Sequence, residues 1–78
     1  MKLEIISAHE IVFSGEATAV TLPGALGSFT VLKDHAPLIS VLSKGEVKYT
    51  DPAGESHHIS IAGGLVDVND NTVSVCVY

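Results

Sequence analysis

The chain has 78 residues, 46% of them apolar and 17% charged, with 4 Lys+Arg against 9 Asp+Glu and a net charge of −5. That length holds one domain, residues 1–78, and the apolar fraction is that of a globular chain rather than a disordered one. All four bases are lysine (Lys2, Lys33, Lys44, Lys48) and none is arginine, which argues against nucleic acid as a partner and against a polybasic grip on anionic lipid. No stretch reaches the roughly 18 apolar residues of a membrane span, and Glu4 interrupts the start, so neither direct membrane insertion nor a secretory leader is expected. Cys76 is the only cysteine; it can form no internal disulfide, which fits a reducing compartment.

Strand signals dominate from the first residues. Val, Ile and Thr number 21, and β-branched side chains favour a pleated, half-buried backbone. Leu3, Ile5 and Ser7 share one face of the first segment, and Lys2, Glu4 and Ile6 the other. Ile11-Val12-Phe13 reads as a second strand. Glu16 to Leu22 alternates, with Thr18, Val20 and Leu22 on one side, and Pro23-Gly24 supplies turn chemistry after it. Phe29, Val31 and Lys33 line one side of the next strand, and Leu38 to Leu42 follows Pro37. Lys44-Gly45 is a turn. Asp51-Pro52-Ala53-Gly54 separates Glu46–Thr50 from Glu55–Ile61 as a hairpin loop, and Asn69-Asp70-Asn71 separates Leu65–Val68 from Thr72–Val77 as another. No window carries a helical period over ten residues. Eight to ten short strands punctuated at this spacing predict an all-β fold, a flattened two-sheet sandwich or barrel.

The residues that could carry chemistry do not assemble into a catalytic or metal-binding pattern. His57 and His58 are adjacent, so on a strand they face opposite sides and cannot chelate one ion without a bulge; one is expected to be solvated and the other packed on the sheet. His9 and His35 fall in other segments. Cys76 in an alternating strand reads as a small buried hydrophobe. Pro23-Gly24-Ala25-Leu26-Gly27 lacks the Gly-Lys-Ser/Thr ending of a phosphate loop. Gly63-Gly64 reads as a bulge or a close backbone crossing. Asp51/Glu55 and Asp67/Asp70 read as solvated loop charge. No catalytic, cofactor or metal residue is assigned. The segment Gly27 to Leu38 stands apart: a strand, then His35-Ala36 restrained by Pro37, either a corner between two sheets or a rigid surface ridge.

Phe13-Ser14-Gly15, Val20-Thr21-Leu22-Pro23-Gly24, Gly27, Phe29-Thr30-Val31-Leu32 and His35-Ala36-Pro37-Leu38 occur in an order and spacing that resemble the N-terminal β-sandwich domain of the epsilon subunit of F-type ATP synthase. Leu42, Gly45, Val47, Gly63-Gly64, Val66, Val68, Asn71 and Val73 extend the resemblance over nearly the whole chain. It implies a ten-stranded flattened sandwich and a non-catalytic place in the central stalk. There the domain would pack on the γ subunit, sit against the membrane c-ring and help couple ion-driven rotation to ATP synthesis. It implies a peripheral location on the cytoplasmic face of the bacterial membrane, no cofactor and no turnover by this chain.

By the same resemblance, Gly27, Ser28, His35, Ala36 and Pro37 face the c-ring, and Ser7 with its neighbours faces γ. Relatives often carry an acid where Ser28 stands, so charge pairing with a basic ring loop is weakened here. Relatives also add a two-helix domain that can inhibit hydrolysis and in some binds ATP. Tyr78 ends this sequence before any helix, so neither property is expected. The alternative function is a free-standing β-sandwich that binds a small ligand, or a metal through His57, His58 or His35.

Overall fold

A computed structural model describes all 78 residues and contains nine strands and no helix. They are β1 (Lys2–Ile6), β2 (Ile11–Glu16), β3 (Ala19–Gly24), β4 (Gly27–Leu32), β5 (Leu38–Leu42), β6 (Gly45–Thr50), β7 (Ser56–Ile61), β8 (Gly64–Asn69) and β9 (Thr72–Val77). The number falls within the eight to ten that alternation predicts and is one fewer than the resemblance implies. The ladder runs β2-β1-β9-β8-β5-β3-β6-β7, with β4 on β3. It is nearly cut in two where β5 meets β3, because Gly24 and Leu42 are the only register partners there. The strands therefore form two layers, β2-β1-β9-β8-β5 and β4-β3-β6-β7, folded over at that corner. All ladders are antiparallel except β1–β9, which places the first and last strands side by side.

Alternation explains the core. Leu3 and Ile5 of β1, Val73 and Val75 of β9, and Val66 and Val68 of β8 point inward from the first layer. Val20 and Leu22 of β3, Val31 of β4, Val47 and Tyr49 of β6, and Ile61 of β7 meet them from the second. Ten large side chains among these are less than 2% exposed. Burial of a Val, Leu or Ile contributes about 1.5–3 kcal/mol, so this interior is the main stabilising element of a small domain.

Turn chemistry sets the connections, with several departures from expectation. Pro23 and Gly24 do not end β3: they remain paired with Ser28 and Gly27, and the turn is Ala25-Leu26. Pro23 is tolerated because its carbonyl, the group a proline retains, accepts the Ser43 N–H at 2.8 Å. Glu16 belongs to β2, and Ala17-Thr18 cross to β3. Gly45, expected in a turn, opens β6, and Lys33, expected in the strand with Phe29 and Val31, lies past the end of β4. Asp70 and Asn71 both have positive φ (55° and 56°), the geometry of a two-residue type I′ hairpin. The Gly54 N–H closes on the Asp51 carbonyl at 2.9 Å, with Gly54 at φ +88°. Gly63-Gly64 is a close approach: a Cβ on Gly64 would lie 2.3 Å from the Cys76 carbonyl oxygen. The segment Lys33–Pro37 is the corner that carries the chain from the second layer to the first.

Candidate interaction surface

The outer face of the first layer carries apolar side chains where nothing covers them. Register places Val41 of β5 opposite Leu65 of β8, Leu65 opposite Cys76 of β9, Cys76 opposite Ile6 of β1, and Ile6 opposite Ile11 of β2. These five residues form one row across five strands. At about 4.8 Å per strand the row runs about 19 Å. Ile11 is 66% exposed, Val41 58% and Leu65 43%, and Ile39, one row along on β5, is 70% exposed. The β1–β2 register shifts between Ile5 and Ile6. It leaves Val12 as an additional exposed apolar residue at the rim. A contiguous apolar surface on a small domain marks a place where another body packs.

Cys76 is exposed, which corrects its reading as a buried hydrophobe. Val73 and Val75 take the inward face of β9, so Cys76 must take the outward one; with no third layer above, it stays in solvent. Ser7, expected on the γ side, is half-buried at the end of β1 beside this row. Its N–H donates to the Glu10 carbonyl at 2.9 Å, which tightens the β1–β2 connection.

The five residues assigned to the ring-facing edge do not form one cluster. Gly27 and Ser28 open β4, next to the Ala25-Leu26 turn. His35, Ala36 and Pro37 follow its other end. The intervening strand, at about 3.4 Å per residue, separates them by roughly 17–20 Å. Because β4 is an edge strand, both groups flank one edge. The later group is strapped down: Asn71 Oδ1 accepts the Asp34 N–H at 3.0 Å, Asp34 has φ +60°, and His35 Nδ1 donates to the Ala36 carbonyl at 2.7 Å. That last bond requires the proton on Nδ1 and fixes the ring.

The remaining candidates resolve into structure. His57 and His58 point to opposite sides of β7, as alternation requires. His57 stacks on Tyr49 at 5.1 Å, and Tyr49 in turn meets Phe13 of the first layer at 4.5 Å. His58 is exposed, 3.7 Å from Glu46. No three His, Cys, Asp or Glu side chains converge. Asp51 is more than solvated loop charge, which corrects that reading. Its Oδ1 accepts the Ala53 and Glu55 N–H groups, each at 2.9 Å, and its Oδ2 accepts His57 Nε2 at 2.8 Å. The His57 bond, with the Glu55 and Ala53 amides behind it, holds the Asp51 carboxyl below the usual carboxylate range. The carboxylate organises the β6–β7 hairpin.

Sequence reasoning named Ser7 but missed the row beside it. The available signal was that β5 is apolar on both faces, Leu38 and Leu42 against Ile39 and Val41; such a strand belongs between two covering layers.

The geometry defines a class: a stiff two-layer β-sandwich with one uncovered apolar face, suited to holding a partner. Comparison with known proteins gives the family. The sequence profile described as "ATP synthase, Delta/Epsilon chain, beta-sandwich domain" matches residues 1–78, and the chain belongs to that family. It is 40% identical over 75 residues to the ATP synthase epsilon chain of Bordetella petrii, covering 96% of this chain and 53% of that one. It is also 40% identical to the epsilon chain of Stenotrophomonas maltophilia strain K279a, covering 54% of it. The chain thus spans about half the length of the curated relatives it matches. Among solved structures, it resembles a chain in the Euglena gracilis mitochondrial ATP synthase with a TM-score of 0.90 and 25% identity, covering 96% of this chain and 48% of that one. A chain in the central stalk and c-ring of the Tetrahymena thermophila mitochondrial ATP synthase shares the fold, with a TM-score of 0.81, 18% identity and coverage of 97% and 61%.

Proposed function

We propose that this chain is a non-catalytic rotor component of the central stalk of an F-type ATP synthase, linking the γ subunit to the c-ring and helping to couple ion-driven rotation to ATP synthesis. The observation that carries this reading is the uncovered row Val41-Leu65-Cys76-Ile6-Ile11, beside Ser7, on a chain of the epsilon-type family. The γ subunit covers the row. Burying it supplies the apolar centre of an interface, and the polar rim completes the roughly 1,200–2,000 Å² typical of a stable pair. A contact made edge-on along β4 takes in Gly27 and Ser28 at one end and His35, Ala36 and Pro37 at the other, and this edge faces the c-ring. The complex holds the chain at the cytoplasmic face of the membrane without inserting it, and this β-sandwich binds no ATP.

Packed sheets suit the role. A body that transmits torque must resist deformation, and a closely packed interior has low compressibility. The test is co-purification with the cognate γ subunit. The wild-type chain should form a stoichiometric complex. Val41→Glu and Leu65→Glu, which alter only exposed side chains, should abolish it while leaving the melting temperature nearly unchanged. Failure of the wild-type chain to bind γ, or undiminished binding by both variants, would overturn the assignment of this face.

A further inference from the structure

Beside the apolar row lies a groove of about 400 Å³ lined by Pro37, Leu38, Ile39, Asp67, Val68 and Asn69. Asp67 and Ile39 are register partners on β8 and β5. Both lie on the outer face of the first layer, one row along from Val41 and Leu65. Ile39 and Pro37 supply its outward apolar surface while Leu38 and Val68 turn into the core, and Asp67 has no ion-pair partner in the structure. The other charged groups on this face are Glu4, Glu16, Lys2 and the N-terminal ammonium, which lies 3.4 Å from Glu16, so with Asp67 the acids outnumber the cations three to two. An apolar trough with one free carboxylate fits a long cationic side chain: the methylenes lie along the apolar wall and the charged head meets the acid.

We propose that this groove receives an arginine or lysine of the γ subunit, with its stem along the outward-facing Ile39 and its head on the Asp67 carboxylate beside it. The occupant follows from position and charge. The groove continues the apolar face, so a body laid on Val41 and Leu65 also reaches it, and the acidic excess selects a basic group. The inference rests on the reading that γ covers this face. The apolar row supplies affinity but tolerates sliding along itself. A charge pair at one end fixes the register of the partner, a role that polar contacts perform beside apolar ones. His35 and Asn71 hold the adjoining corner in one conformation, so the groove wall at Pro37 is preformed.

The experiment measures binding of the cognate γ subunit to the wild-type chain, Asp67→Asn, Asp67→Lys and Val41→Glu, at low salt and at about 0.5 M salt. Melting curves of each variant check that it is folded. Asp67→Asn should lose about tenfold in affinity at low salt, Asp67→Lys should lose more, and the gap from wild type should shrink at high salt. Val41→Glu should lose binding at both salt concentrations. Wild-type affinity for Asp67→Asn together with loss for Val41→Glu would overturn the groove and leave the face standing. Wild-type affinity for Val41→Glu would overturn both. A loss at Asp67→Asn that persisted unchanged at high salt would also overturn the proposal, because a charge pair at the rim of an interface is screened.

Discussion

Gly64→Ala tests whether the Gly63-Gly64 pair is a steric requirement. A Cβ at Gly64 would meet the Cys76 carbonyl oxygen at 2.3 Å and the Val77 Cα at 3.2 Å. Both are backbone atoms of β9, the strand hydrogen-bonded to β8, so neither can rotate away. Reaching even 3.0 Å requires the strands to part by 3.0 − 2.3 = 0.7 Å at that point. Overpacking of this kind costs about 1–3 kcal/mol, and weakening a ladder hydrogen bond adds about 1 kcal/mol. The gain from a less flexible unfolded chain offsets about 0.4–1 kcal/mol. The net loss is therefore about 1–3.5 kcal/mol, or at least about 4 °C in melting temperature for a domain of this size. Gly54→Ala is the comparison. It meets nothing within 4 Å but sits at φ +88°, so its cost is backbone strain of about 1 kcal/mol, roughly 4–8 °C. Thermal unfolding followed by far-UV circular dichroism reads both. A Gly64→Ala melting temperature within about 2 °C of wild type would refute the steric argument.

Three further outcomes follow from the same structure. A double-mutant cycle of Phe13→Leu and Tyr49→Leu should give a coupling of about 0.5–1.5 kcal/mol in urea unfolding, because their rings, 4.5 Å apart, bridge the two layers; zero coupling would mean the contact adds nothing beyond burial. Asp51 has its folded pKa depressed by His57 and the hairpin amides, so its contribution is present above its unfolded value of about 3.9 and lost as pH falls through the lower folded value. Urea midpoints measured from neutral to acid pH should show Asp51→Asn less stable than wild type at neutrality, with the gap closing below about pH 4; a gap that widened in acid would reverse the sign and refute the reasoning. Cys76, exposed in the middle of the apolar row, should react stoichiometrically with a thiol reagent in the isolated chain and be protected in the complex with γ. Equal reactivity in both would place the partner elsewhere.

Alternation along single strands made the β class, the range of the strand number and most of the core legible. Leu3, Ile5, Val20, Leu22, Val73 and Val75 all lie on the faces that period-two patterning assigns. Turn residues marked the hairpins at Asp51–Gly54 and Asn69–Asn71, because positive φ and side-chain acceptors are local properties. Pro23-Gly24 misled for an equally local reason. Turn propensity speaks to the chain around a residue, whereas Pro23 stays in its strand through a carbonyl used by the distant Ser43.

The sequence by itself therefore determined that this is a β-sandwich domain of the epsilon type, and which side of most strands is apolar. It could not determine which of two apolar faces would remain uncovered. Ile39 and Leu38 are equally apolar neighbours, and nothing along the chain distinguishes their fates. Only the order β2-β1-β9-β8-β5, with the second layer folded against one side, left Val41, Leu65, Cys76, Ile6 and Ile11 in a line on the other. Tertiary pairing likewise brought Asp67 beside Ile39 and Pro37. Such groupings arise from register between strands distant in sequence, a quantity that period and propensity do not encode.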